Sequence, residues 1–337
     1  MSGFLQGTGA WLGQARPQLG VLALVVIFNL LVAPGFLEIA VREGRLYGSL
    51  IDILNRGAPV ALLAVGMALV IATRGIDLSV GAVMAIAGAV AAVAVNGGQH
   101  WTAAVALALG AGLACGLWNG VLVAVLNIQP IIATLILMVA GRGLAQLITE
   151  GRIVTFVEPH LVALGGGAVL GLPTPVFVLA AMAALTIALT RFSALGLFIE
   201  AVGVNPRASW LVGVNTRLVL IAVYVWSGLT AAIAGVLVAG SIRGADANNA
   251  GLWLELDAIL AVVVGGGALL GGRFSIGLAV LAALSLQGLR TGVLRAGLPP
   301  ELNLVVMAML VAVVLVLQAP VTARALGRLK LARRTAS

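Results

Sequence analysis

Residues 58–95 form a run of 38 positions that are apolar or small throughout, except for the pentapeptide Arg74-Gly75-Ile76-Asp77-Leu78. One membrane crossing needs about 20 residues and two need about 40, so this run is too long for one helix and fits two. The charged pentapeptide therefore falls where the chain must turn or a helix must break. Apolar runs recur near residues 18–34, 57–73, 79–95, 102–126, 130–149, 174–190, 218–240, 252–271, 275–293 and 302–318, which makes ten candidate spans. The chain is 62% apolar and 9% charged, against about 45–50% and 25% in soluble domains, and its mean hydropathy is +1.18. The expected fold class is an all-α polytopic membrane protein of about ten transmembrane helices.

Loop charge sets the expected orientation, because short cytoplasmic loops carry the Lys/Arg excess. With the N-terminus inside and ten spans, 11 cations fall on the inner side, 5 on the outer side and 3 (Arg56, Arg142 and Arg290) on neither clearly. Both termini are then cytoplasmic. The first apolar run is followed by Pro34 and Gly35 without a small-x-small cleavage site, so it reads as a retained span. Residues 1–324 form the membrane domain, with an inner loop at 191–217, and residues 325–337 form a basic cytoplasmic tail. The net charge of +8 reflects this topology and contact with membrane lipid. No basic patch with interleaved aromatics points to nucleic acid.

Several chemistries are excluded. The single lysine, Lys330, is followed by Leu331, so no Gly-x-x-x-x-Gly-Lys-Ser/Thr phosphate loop exists in the chain. One cysteine, Cys115, and two histidines, His100 and His160, form no metal or redox motif. The expectation is no catalytic residue, no cofactor and no metal in this chain. The glycine run Gly265-Gly266-Gly267 with Gly271-Gly272 has the wrong spacing for a dinucleotide fingerprint and reads as helix packing or a local helix break.

The break has a loose echo. Arg74-Gly75-Ile76-Asp77 follows one apolar run and Arg243-Gly244-Ala245-Asp246 follows another, and a Gly/Ala-rich run follows each. The two copies begin at spans two and seven, an odd separation, so they would cross in opposite senses, as inverted repeats with interrupted helices do in transporters. Chance similarity between Gly/Ala-rich helices is the alternative.

Arg74 and Asp77 have two readings: an i, i+3 ion pair at the membrane surface, with Asp77 or Ser79 capping the next helix, or part of a pathway wall. Gly112, Gly116 and Gly120 form a small-xxx-small stripe for close helix packing. On the same helix, Asn119 offers a donor and an acceptor; with Arg142, Gln146 and Gln287 it either bridges helices or meets substrate. The segment 246–257 gathers Asp246, Asn248, Asn249, Glu255 and Asp257 around Trp253. Such a set suits a sugar, and equally an outer loop with an interfacial Trp or a dock for an external binding protein. The expected path or substrate residues are Asp77, Asn119, Asp246, Asn249, Trp253 and Glu255.

In the inner loop, Asn205 as N-cap, Pro206 at the first helical position and Gly213 as the stop define a short helix. This helix carries Trp210 and Leu211 exposed, so lipid or another protein should cover it.

The strings Gly75-Ile-Asp77-Leu-Ser79-Val-Gly81, Gly203-x-Asn205-x-x-Ala208-x-x-x-x-Gly213 and Gly244-Ala-Asp246 with Val264-Gly-Gly-Gly267 resemble the permeases of simple-sugar (ribose-type) ABC importers. Residues 49–83, 129–150 and 243–267 are most similar to the galactofuranose branch of that family. The resemblance implies a permease subunit in a bacterial inner membrane, paired with a second homologous permease as homodimer or heterodimer. It also implies a cytoplasmic double-cassette ATPase that uses ATP and Mg, and a periplasmic sugar-binding protein. Glu200, Gly203, Asn205, Arg207, Ala208, Trp210, Leu211 and Gly213 would form the contact with the ATPase, although Pro206-Arg207 stands where the family often has two alanines. The competing class is an ion-coupled secondary transporter of a small polar solute, with Asp77 or Asp257 as the ion site.

Overall fold

The computed structural model describes residues 18–32, 35–42 and 44–297, with scattered positions from 299 to 312. The helices are α1 Gln18–Val32, α2 Ser49–Ala72, α3 Val80–Asn96, α4 Trp101–Ala124, α5 Pro130–Ile148, α6 Pro159–Gly166, α7 Thr174–Phe192, α8 Leu195–Val204, α9 Pro206–Leu211, α10 Thr216–Ile242, α11 Leu254–Val264 and α12 Ile276–Arg295. Three short antiparallel pairs accompany them: β1 Ala40–Arg42 with β2 Arg45–Tyr47, β3 Val154–Thr155 with β6 Gly244–Ala245, and β4 Ala168–Val169 with β5 Leu172–Pro173.

Six helices among the described residues (α2, α4, α5, α7, α10 and α12) have the length and apolarity to cross a membrane. The ten expected runs differ from this in three ways. The run at 302–318 is described only at scattered positions up to 312, and the tail at 325–337 lies outside the described residues. The runs at 18–34 and 79–95 form helices of 15 and 17 residues. The run at 252–271 corrects the expectation: only its 11 residues from Leu254 to Val264 are helical, about 16 Å at 1.5 Å per residue and roughly half of a hydrocarbon core. The glycine run is the cause. Gly266 adopts φ +86° and Gly271 φ +83°, a left-handed backbone that ends a helix without the Cβ clash another residue would meet. Such irregular backbone is tolerated at membrane depth only when protein covers it, and α12 does so: a Cβ on Gly265 would meet Ala279 at 2.9 Å.

α2 and α10 are central. From Gly57 to Ala72 every residue of α2 is buried, as expected of a helix that is apolar all round. α10 is approached on four sides through small residues. The Gly112, Gly116 and Gly120 stripe of α4 lies on it antiparallel, at Gly228, Tyr224 and Ile221, and a Cβ on Gly116 would come within 2.4 Å of the Tyr224 carbonyl. Gly66 of α2 meets Ser227 and Thr230, Gly235 meets Met84 of α3, and Gly240 meets Leu161 of α6. Without a hydrophobic force between apolar surfaces in lipid, such close backbone approach is what holds helices together. α4, α5 and α7 instead present exposed apolar side chains such as Leu117, Leu135, Val139 and Leu185.

Candidate functional site

α2 ends at Ala72, with Thr73 Oγ1 donating to the Val70 carbonyl at 2.9 Å. Arg74 then takes the left-handed conformation, φ 64°. Residues 75–77 have no regular secondary structure, and α3 begins at Val80. The break is held from both sides: Gly75 N–H donates to the Val70 carbonyl of α2 (2.9 Å), and Leu78 N–H donates to Thr134 Oγ1 of α5 (3.1 Å). The Thr134 hydroxyl lies 3.2 Å from the Ile76 carbonyl and 2.9 Å from that of Pro130, and its one proton serves one of them at a time.

Asp77 is 2% exposed and joins three helices. Its Oδ1 accepts from Ser79 N–H (3.0 Å) and Ser79 Oγ (2.6 Å), and its Oδ2 accepts from Ser227 Oγ on α10 (2.8 Å). Asn119 on α4 donates to Ser79 Oγ at 2.8 Å and approaches Asp77 Oδ1 at 3.5 Å. The expected Arg74–Asp77 ion pair is absent. Arg74, left-handed at the turn, donates instead to the carbonyl of Val204, at the end of α8. Asp77 and Asn119, expected on a path, therefore lie inside an inter-helix network. Ser79 was legible in the sequence only as a candidate helix cap, and Ser227 and Thr134 were not singled out; a serine or threonine in an apolar helix is too common to flag, and only three-dimensional proximity to the first break marks these.

The second break repeats the first in outline. α10 ends at Ile242, Arg243 is left-handed at φ 57°, and Gly244 follows in β6. The chain then turns through residues 246–253 to Trp253, φ 66°, and α11. Asp246 accepts from the N–H groups of Asn248 (3.0 Å) and Asn249 (3.2 Å) and from the Asn249 amide (2.8 Å). These bonds, the Asn249 side chain first, hold its carboxyl below the usual carboxylate range. α5 fastens the turn: Arg142 donates to the carbonyls of Ala247 (3.0 Å) and Ala250 (2.6 Å), and Gln146 donates to Asn248 Oδ1 (2.8 Å). Glu255 is buried, and Gly81 is the close approach that admits it: a Cβ there would meet Glu255 Oε2 at 2.6 Å and the Gly251 carbonyl at 2.3 Å. Trp253 is 64% exposed. Asp257 pairs with Arg290 of α12 at 2.5 Å.

At the other end of α10, Asn205 Oδ1 accepts from Ala208 N–H (3.0 Å), Pro206 occupies the first turn and Gly213 takes φ +90°. Arg207, Ala208, Trp210, Leu211 and Gly213 are exposed, Glu200 is half-buried and Gly203 is buried. A cleft of about 780 Å³ opens beside α9, lined by Ala124, Asn127, Pro206, Trp210, Arg217 and Leu220 among others.

The family described as the permease component of branched-chain amino acid transport systems matches residues 49–315. The chain is 61% identical to the galactofuranose transporter permease protein YtfT of Escherichia coli (strain K12), covering 90% of this chain and 89% of that one. It is 40% identical to the fructose import permease protein FruF of Bifidobacterium longum (88% and 85% covered). It is 36% identical to the ribose import permease protein RbsC of Escherichia coli (strain K12), covering 92% and 95%. The chain belongs to the ABC-transporter permease family that includes these sugar-import subunits, as a multi-pass inner-membrane transport component and not a catalyst.

Proposed function

We propose that this chain is the permease of a monosaccharide importer whose sugar is galactofuranose, working with a cytoplasmic double-cassette ATPase, a periplasmic sugar-binding protein and a second permease copy or homologue. The identity of 61% over 90% of the chain to a galactofuranose permease carries the choice of sugar. In this reading the chain crosses the membrane about ten times with both termini inside. ATP and Mg are handled by the partner. α9 is the ATPase contact, supported by Trp210 and Leu211, which are 65% and 71% exposed on a six-residue helix capped at both ends. The second break forms the path: Asp246 and Asn249 supply acceptors and donors for hydroxyls, and the exposed Trp253 supplies a face for the ring. Glu255 stands behind them. Asp77 and Asn119 serve the path indirectly, by fixing the first break. ATP turnover in the partner shifts access by binding two states of the permease unequally.

Replacing Trp210 and Leu211 by Asp is expected to abolish both co-purification of the ATPase and sugar uptake. Retention of both would remove α9 from the ATPase contact. Uptake of labelled galactofuranose, competed by excess unlabelled galactofuranose and not by ribose or fructose, is the expected pattern for the sugar; equal competition by ribose would overturn that choice.

A further inference from the structure

The joint between α8 and α9 is locked to the first break more tightly than ordinary packing requires. The Ala72 carbonyl, at the end of α2, accepts a hydrogen bond from Gly272 N–H at 2.8 Å. Gly203 presses on the same carbonyl so closely that a Cβ would lie 1.8 Å from it. Gly271, at φ +83°, gives room to the Arg74 side chain, and a Cβ there would meet Arg74 Cγ at 2.4 Å. Over this three-way contact Arg74 extends its guanidinium to the carbonyl of Val204, one residue before the cap of α9. Three residues on from Arg74, Asp77 holds α10 through Ser227 and is linked to α4 through Ser79 and Asn119.

We propose that Arg74 is a positioning residue that transmits displacement of α9 to the first helix break, so that partner ATP turnover is converted into movement of α4 and α10 around Asp77. The inference rests on the reading of α9 as the ATPase contact. Its physical ground is that a guanidinium fixed to one main-chain carbonyl resists separation of the two segments. The Val204 carbonyl belongs to the last residue of α8, so a shift of α9 that takes the α8–α9 joint with it must either carry Arg74 along or break that bond. A rigid contact of this kind changes the relative energies of two permease states, and only a variant that weakens it reveals how much.

The test uses the complete importer in proteoliposomes, with sugar delivered per ATP hydrolysed as the readout, because a merely structural residue would lower the amount of complex without changing this ratio. Arg74→Met keeps the aliphatic stem against Gly271 and removes the donor. It is expected to co-purify with the ATPase at normal yield and to hydrolyse ATP while delivering at least about fivefold less sugar per ATP, with Arg74→Lys retaining a donor and staying within about twofold of the unaltered protein. An unchanged ratio in Arg74→Met overturns the proposal. So does a Lys variant as uncoupled as the Met variant, or a Met variant that fails to insert or loses the ATPase, which would make Arg74 a folding or assembly residue. Failure of the α9 reading shows separately, as ATPase retained by the Trp210 and Leu211 double variant.

Discussion

The two helix breaks start alike and end differently. Both follow a central helix with a left-handed arginine, a glycine and, three residues on, an aspartate. In the first, the aspartate turns inward and finds donors on α3 and α10, with α4 joined through Ser79 and no cation among its partners. In the second, the aspartate stays near the surface and is satisfied by its own turn, while an arginine from α5 holds that turn through carbonyls. The difference is one of solvation. A carboxylate taken from water must recover its hydration from fixed donors, so the first break is fastened to its neighbours. The second satisfies its polar groups locally and near the surface, where water can also reach them, as the path proposed above would need.

The largest effect that would break this contrast is at Asp77. Asp77→Leu leaves the Ser79 N–H and the Ser79 and Ser227 hydroxyls without their acceptor and should lower stability by about 3 kcal/mol or more, read as a fall in thermal unfolding temperature in detergent. Equal loss from Asp246→Leu would erase the distinction between the two breaks. Arg142→Met comes next: with the Ala247 and Ala250 carbonyls released, residues 246–250 should become accessible to protease, with a stability loss of about 1–2 kcal/mol. An unaltered cleavage pattern would show that α5 does not hold the turn. The smallest effect on stability, about 0.5 kcal/mol or less, is expected from Asn249→Ala, an exposed position. Its effect should fall on sugar uptake instead, and normal uptake would take Asn249 off the path.

How far each region was legible follows from the range of the forces involved. The apolar runs mark helix positions because a chain in lipid must satisfy its own backbone, and the charged pentapeptide marks the first break for the same reason. The cap and stop of α9 are local signals, carried by Asn205, Pro206 and Gly213. Hydropathy could not see that the run at 252–271 would stop being helical at Val264, because Ala268, Leu269 and Leu270 score as span residues although glycines flank them. Nor does it separate α6, an eight-residue helix laid against α10 with Gly165 as the close approach. The signal for it was present in Glu158-Pro159 before and Gly165-Gly166-Gly167 after, a start and a stop too near each other for a span.

By itself the sequence determined that this chain is membrane-embedded, where its first break falls, that a short capped helix stands in the loop after α7, and which transporter family its motifs resemble. These are properties of hydropathy, local capping and short strings. Tertiary structure alone decided which groups meet: Arg74 with Val204 and not Asp77, Asp77 with a serine 150 residues away, and Arg142 with two carbonyls of the second break. A buried polar group takes whichever partner the surrounding helices bring within about 3 Å, and that choice is fixed by the glycine contacts that set the helices' spacing.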